Sequence, residues 1–201
     1  MRIGVLALQG AFAEHEAMLQ TLGADCFEIR KPADIKGQPM DGFVIPGGES
    51  TVMTKLLHGL GLFELLQGKI AGGLPVFGTC AGLILLAKHV QGGITCFPCM
   101  DITVRRNAYG RQLGSFETTA LFTGLGEVPT VFIRGPYIEC AGENVQVLAY
   151  VDGNIVAARQ ENILVTAFHP ELKQDVRIHR FFLDIVNKYK KEKEKPQSRC
   201  G

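Results

Sequence analysis

The 201-residue sequence has no excess of either charge: 21 Lys and Arg stand against 20 Asp and Glu, a formal +1. No global field is available to gather phosphate backbones, which excludes nucleic-acid binding by the bulk of the chain. No apolar run approaches the ~20 residues that a membrane helix needs. The start, M-R-I-G-V-L-A-L-Q-G, lacks a basic leader and a cleavage site; it reads as a buried strand and points to a soluble, cytoplasmic protein. No Asn heads an N-x-Ser/Thr sequon. There is neither an internal repeat nor a linker rich in Pro and Ser, so one domain is expected. Six cysteines occur, Cys26, Cys80, Cys96, Cys99, Cys140 and Cys200, yet a chain of this length with 46% hydrophobic residues needs no disulfide staples.

What the chain does have is alternation. Short apolar runs at 2–8, 26–29, 42–45 and 74–77 read as strands buried on both faces. Between them, 12–22 and 51–66 carry helical spacing, the latter broken near Gly59 and Gly61, and an apolar stretch at 83–89 reads as a further helix. This pattern predicts an α/β domain with a mainly parallel sheet. From residue 102 the texture changes to strand-like pieces at 102–105, 115–120, 130–133, 145–151, 155–158 and 163–168, with a hairpin turn signal at Asp152-Gly153. An amphipathic helix is expected over 175–190, with Ile178, Phe181, Phe182, Ile185 and Val186 on one face. The domain is expected to span 1–187. Residues 188–201 carry six basic side chains against two acidic ones and are expected to form a flexible basic tail.

Three motifs carry chemistry. In Gly78-Thr79-Cys80-Ala81-Gly82, between a strand and a helix, small residues flank a nucleophile that a tight turn thrusts out of the sheet. The start of a helix favours negative charge there, and the Ala81 N–H can face a developing oxyanion. A thiolate needs a base, and the base needs an orienting partner. Of five histidines, only His169 follows an apolar strand with a carboxylate close by, in His169-Pro170-Glu171. Alternation across Pro170 is expected to bring His169 and Glu171 to the same side. The third motif, Pro46-Gly47-Gly48-Glu49-Ser50, lets backbone N–H groups approach an anion, and Ser50 is expected to cap the following helix.

The order P-G-G-E-S, G-T-C-A-G, H-P-E on an alternating chain resembles the class I (triad) glutamine amidotransferases, whose flavodoxin-like three-layer fold has a mainly parallel sheet with an antiparallel extension. With G-V-L-A-L-Q-G, R-R-N-A-Y-G-R-Q and V-F-I-R-G-P, the chain is similar more narrowly to the glutaminase subunits of pyridoxal 5′-phosphate synthase. The resemblance runs from Arg2 to about Lys190. It implies that Cys80 attacks the glutamine side-chain amide to give a γ-glutamyl thioester, with His169 as acid and base and Glu171 as its orienter. Backbone N–H groups of Ala81, Gly47 and Gly48 would hold the oxyanion. Gly48, Glu49, Ser50, Arg106, Ile133 and Arg134 would line the glutamine pocket, and Gln9 would sit at the partner interface and help set the oxyanion hole. The implied partner is a separate (β/α)8-barrel synthase subunit in a hetero-oligomer, which receives the ammonia; no metal or cofactor is implied for this chain.

The sequence departs from the family pattern in places. Gly135 stands where Ala is expected and Tyr137 where His is frequent, and Cys96-Phe97-Pro98-Cys99 replaces an apolar stretch. A single C-x-x-C without a second pair is weak for zinc and has no thioredoxin-like context. Another glutaminase of the same superfamily feeding ammonia to a different synthase, a cysteine hydrolase acting without a partner, and a non-catalytic protein with a reactive cysteine are the rival readings.

Overall fold

Apolar strands without alternation must be covered on both faces, and the first half of the chain is built that way. In the computed structural model, which describes residues 1–106 and 115–194, β1 (Arg2–Leu6) pairs in parallel with β2 (Asp25–Ile29) and β3 (Gly42–Ile45), and β3 with β4 (Val76–Thr79). The crossover helix α1 (Phe12–Thr21) leads from β1 to β2 in one direction. Helices α2 (Ser50–Gly59) and α3 (Phe63–Ala71) lead from β3 to β4 in the other. Right-handed crossovers in opposite directions place α1 on one face of the sheet and α2 and α3 on the other. The carboxyl ends of β1 and β3 therefore diverge, leaving the crevice in which open α/β sheets bind ligands.

The expected helix over 83–89 is corrected. α4 (Ala81–Leu86) starts directly after Cys80 and stops at Leu86, and Ala87–Gln91 is a strand, β5. β5 pairs in parallel with β6 (Met100–Arg105), so sheet pairing overrides helix propensity once the chain leaves the layer beside β4. The second half adds the antiparallel extension. β7 (Ser115–Phe122) and β8 (Gly126–Ile133) form a separate hairpin, and β9 (Tyr137–Ala141) joins β6 to β11 (Asn154–Gln160). β10 (Gln146–Val151) returns to β11 through Asp152 and Gly153, at φ +50° and +76°, the left-handed pair that a two-residue hairpin turn needs. β12 (Ile163–Thr166) closes the arrangement, antiparallel to β11 and parallel to β4. β9 was not foreseen: Y-I-E-C-A is short and has no strict apolar–polar alternation.

Helix α5 (Arg177–Glu194) packs beside α1. Asp175 accepts from the Arg177 N–H at 3.0 Å just ahead of it, and Ile178, Phe182, Ile185 and Val186 are buried as expected, with Phe181 at the margin. The helix runs through 188–194, where the tail was expected to begin. Lys190 pairs with Asp41 at 3.0 Å and Lys188 lies 3.9 Å from Glu192 one turn on, so the charged end is tied to the body. Residues 195–201, and the N-A-Y-G-R-Q segment within 107–114, lie outside the described residues. No described helix is long and apolar enough to cross a membrane.

Two imidazoles, His15 on α1 and His179 on α5, are buried within this apolar layer, each with a ring edge-on to Phe77. Burial holds both below the ordinary histidine value of 6.5, His179 at about 4. Unfolded chain takes up these protons first, so the stability that comes from keeping the rings neutral is complete above pH 6.5 and is lost as the pH falls toward 4. His179→Phe should flatten the acid fall in Tm over that window, by on the order of 3 kcal/mol at its lower end. Thermal unfolding from pH 7 to pH 4 measures this, and an unchanged slope would contradict it.

Candidate active site

The nucleophile turn is fixed by what cannot fit around it. A Cβ on Gly78 would lie 2.7 Å from the Gly82 carbonyl carbon, and one on Gly82 would lie 2.1 Å from the Ile45 carbonyl oxygen. With both side chains absent, β4 passes directly into α4, and Cys80 takes φ +49° as the residue before the first helical turn. A non-glycine residue in that region is strained and persists only where its surroundings enforce it. The Cys80 N–H is anchored to the Thr166 carbonyl at 2.8 Å, tying the turn to β12, which also leads to His169. As the first residue of α4, Ala81 has an N–H with no acceptor inside the helix.

Phe168 ends the apolar run after β12, and the His169 N–H donates to the Val131 carbonyl at 2.8 Å. His169 and Glu171 do meet, although not by strand alternation. Pro170–Leu172 form a 3-10 turn with proline in its first position, and this turn brings His169 Nδ1 to 2.8 Å from Glu171 Oε1. Glu171 is fully buried and His169 nearly so. Cys80 lines the same cavity as His169 and is close enough to the ring to act on its charge. Burial alone would lower the His169 pKa, but its interactions with Cys80 and Glu171 outweigh it and raise the pKa to about 10. The protonated ring is thus favoured at neutral pH, steadied by the buried carboxylate.

Cys80 and His169 open into a cavity of about 520 Å³ at the carboxyl ends of the parallel strands. Gly47, Gly48, Glu49 and Ser50 line one wall; Arg106, Ile133 and Arg134 line others. Gly47 is required by close approach: a Cβ there would lie 2.3 Å from His169 Cε1. The expected cap is corrected, since Glu49, not Ser50, caps α2. Its carboxylate accepts from the Thr51 and Val52 N–H groups at 3.1 and 2.8 Å, and Ser50 is already helical. The longer side chain reaches back over the first turn, as a shorter hydroxyl at the next position cannot. Glu49 also holds Arg106 at 3.1 Å. Gln9 lies behind the wall, its Oε1 accepting from the Glu49 N–H at 2.8 Å. Ala81 and Glu171 sit beneath the cavity rather than on its surface.

Residues missed by sequence reasoning are Ile84, Leu172 and Gly10 on the cavity wall, and Thr79, His15 and His179 behind Glu171. The only signal for the two histidines was an imidazole on the apolar face of a helix. The Cys96 and Cys99 thiols are pushed up to about 11 and 12 by burial, which makes them poor redox or metal groups. Among the described residues no group of three His, Cys, Asp or Glu side chains could hold a metal ion. At Gly135 a Cβ would lie 3.0 Å from Phe132, so an alanine would be tight, and the Tyr137 hydroxyl accepts from Arg105 at 3.4 Å.

Comparison with known proteins places this geometry in a family. Residues 5–188 match the model of the SNO glutamine amidotransferase family. The pyridoxal 5′-phosphate synthase subunit PdxT of Methanocorpusculum labreanum is 60% identical over 186 residues, 92% of this chain and 98% of that protein. The protein of the same name from Desulfitobacterium hafniense (strain DSM 10664 / DCB-2) is 53% identical over 188 residues, 93% and 94% of the two chains. A crystal structure of a glutamine amidotransferase superposes with a TM-score of 0.86 at 41% identity, covering 92% of this chain and 98% of its own. With its motifs in one crevice and nearly its whole length matched, the chain belongs to the SNO glutamine amidotransferase family.

Proposed function

We propose that this chain is the glutaminase subunit of a pyridoxal 5′-phosphate synthase, hydrolysing the side-chain amide of L-glutamine and passing the ammonia to a (β/α)8-barrel synthase subunit. The observation that carries the reading is the line of groups at the cavity: Cys80 beside His169 on its wall, and His169 Nδ1 held at 2.8 Å by Glu171. The Cys80 thiolate adds to the amide carbon, and the negative charge on the amide oxygen falls to the N–H groups of Ala81 and of the Gly47-Gly48 turn. The tetrahedral adduct collapses as His169 gives its proton to the departing nitrogen, leaving a thioester and free ammonia. The neutral ring then takes a proton from water, whose hydroxide attacks the thioester carbon; glutamate leaves and the thiolate is restored. Glu171 keeps Nε2 aimed at these atoms throughout and stabilises the ring while it is charged.

The walls suit an α-amino acid. Arg106 and Arg134 supply cations for the α-carboxylate, while Glu49 and backbone carbonyls of the P-G-G-E-S turn suit the α-ammonium. Ser50 and Ile133 bound the space between the two ends. Gln9, bonded to the backbone of that turn, lies where a docked partner would influence the oxyanion donors. Residues 1–187 would act as one glutaminase domain. The mildly acidic balance of this part, once the basic tail is set aside, suits a small zwitterionic substrate and no nucleic acid.

The purified chain mixed with its synthase subunit should release ammonia from glutamine, with little release when the partner is omitted. Cys80→Ala should lower the rate at least about a thousandfold, and His169→Asn should remove turnover while leaving docking intact. Full activity in Cys80→Ala would sink the triad assignment, and strong partner-independent activity would favour a free-standing hydrolase. Arg134→Met should raise the KM for glutamine about 10- to 100-fold with a smaller effect on kcat, the loss of one charge-assisted pair. An unchanged KM would remove Arg134 from the substrate site.

A further inference from the structure

Behind Glu171, on the side away from the cavity, three elements converge on a sealed polar cluster. His15 from α1, His179 from α5 and Thr79 from β4 are all fully buried. His15 Nδ1 is 2.9 Å from His179 Nε2, and His15 Nε2 is 3.1 Å from Thr79 Oγ1 and 3.3 Å from Glu171 Oε2. His169 occupies the other carboxylate oxygen; Oε2 has no aligned hydrogen-bond partner, and His15 at 3.3 Å is the ring nitrogen paired with it by distance. His179 Nδ1 also lacks a partner.

Proton accounting selects one arrangement of the two rings. If His15 carried its proton on Nδ1, a bare ring nitrogen would face a carboxylate oxygen, and His179 would need its proton on Nδ1, a buried N–H without an acceptor. If His15 carries it on Nε2, that N–H donates to Thr79 Oγ1 and puts its positive end 3.3 Å from Glu171 Oε2. His179 Nε2–H then donates to His15 Nδ1, and the unpartnered atom is only a bare nitrogen. Orphaned buried donors are the costlier outcome, especially beside an oxygen that itself lacks one. We propose that His15 and His179 are positioning residues for the hydrolysis: His15 Nε2–H fixes the free oxygen of Glu171, and His179 Nε2–H fixes the tautomer of His15.

The chemistry of imidazole suits this place. A lysine or arginine donor would compete with His169 for the negative charge of Glu171 and weaken its hold on the catalytic ring. A neutral imidazole restrains the carboxylate and leaves that charge available. Burial keeps both rings uncharged, His179 with a pKa near 4 and His15 well below its ordinary value. Phe77 lies edge-on to both rings and closes the cluster from the sheet side. The catalytic line would thus extend from Cys80 through His169, Glu171 and His15 to His179, crossing from the active-site crevice into the layer formed by α1 and α5.

The inference rests on the proposed glutaminase reading, and its test has an arm independent of activity. Long-range 1H–15N spectra of the full chain labelled in histidine should place the proton of both His15 and His179 on Nε2 at neutral pH; a His15 proton on Nδ1 would overturn the chain of donors. In the complex with the synthase subunit, His15→Leu should lower kcat for glutamine about 10- to 100-fold with KM within twofold. His15→Gln, whose amide N–H can reach the Nε2 position, should recover most of that loss. Wild-type kcat in a folded His15→Leu protein, or equal losses in the Leu and Gln variants, would reduce His15 to packing and overturn the proposal. Should His15→Leu fail to fold, the wild-type spectra and the Gln variant still decide the matter. A wild-type complex that releases no ammonia would refute the glutaminase reading itself, and the spectra would still report on the hydrogen bonds.

Discussion

The site depends on a passage of backbone with no room for a side chain. Gly78 and Gly82 approach within a distance that a single Cβ would violate, and Gly82 also lies against the Ile45 carbonyl. Three strand ends and the start of α4 are thereby pressed together at the crest of the sheet. Cys80 is held at φ +49° because every neighbouring position is already occupied by backbone. The strain of that residue, of order 1–3 kcal/mol for a non-glycine residue in a rare region, is offset by the packing of Val76, Phe77, Leu83 and Leu86 around it. An unstrained cysteine on a regular helix would point along the surface; this one points at His169.

Electrostatics then decide the state in which the three groups wait. A buried imidazolium is costly by itself, and burial does push His169 toward neutrality. The opposing attraction wins because the carboxylate is 2.8 Å away and Cys80 adds to it. Behind Glu171 two other imidazoles go the opposite way and stay neutral, because burial outweighs the one carboxylate oxygen that lies 3.3 Å from His15. The same physical terms, differently weighted, yield one charged histidine at the cavity and two uncharged ones behind it. Separation of pKa values among neighbouring groups is how one site holds an acid and a fixed dipole together.

Much of this was legible in the chain because the decisive chemistry lies in short contiguous segments. G-T-C-A-G carries its own steric reason, P-G-G-E-S its own backbone approach, and H-P-E its own pair, even though a 3-10 turn and not an extended strand joins His169 to Glu171. The parallel strands were readable because both faces are covered, which leaves unbroken apolar runs. What could not be read depends on distant partners. β5 looked helical because its pairing with β6 is invisible in A-K-H-V-Q, and β9 was hidden because it is short and lacks strict alternation. His15 and His179 are 164 positions apart, and neither has a local companion that signals its use. The cap on α2 was misplaced by one residue because a carboxylate can reach two N–H groups from farther back.

Glu49 shows why the cavity rim behaves as one piece. Its carboxylate accepts from two N–H groups of α2 and from Arg106, and its own N–H donates to Gln9. Loops following β1, β3 and β6 therefore meet at one residue. The hydrogen bonds to its carboxylate and the Arg106 charge outweigh partial burial and hold the Glu49 pKa below its usual range, so the junction stays charged at neutral pH. Removing the carboxylate alone would free Arg106 and uncap α2. Displacing Gln9 alone would release the backbone of the Gly48-Glu49 turn while leaving both of those bonds intact. The two halves of this residue thus separate roles that share one place: the side chain holds Arg106 and caps α2, and the backbone N–H ties the turn to Gln9.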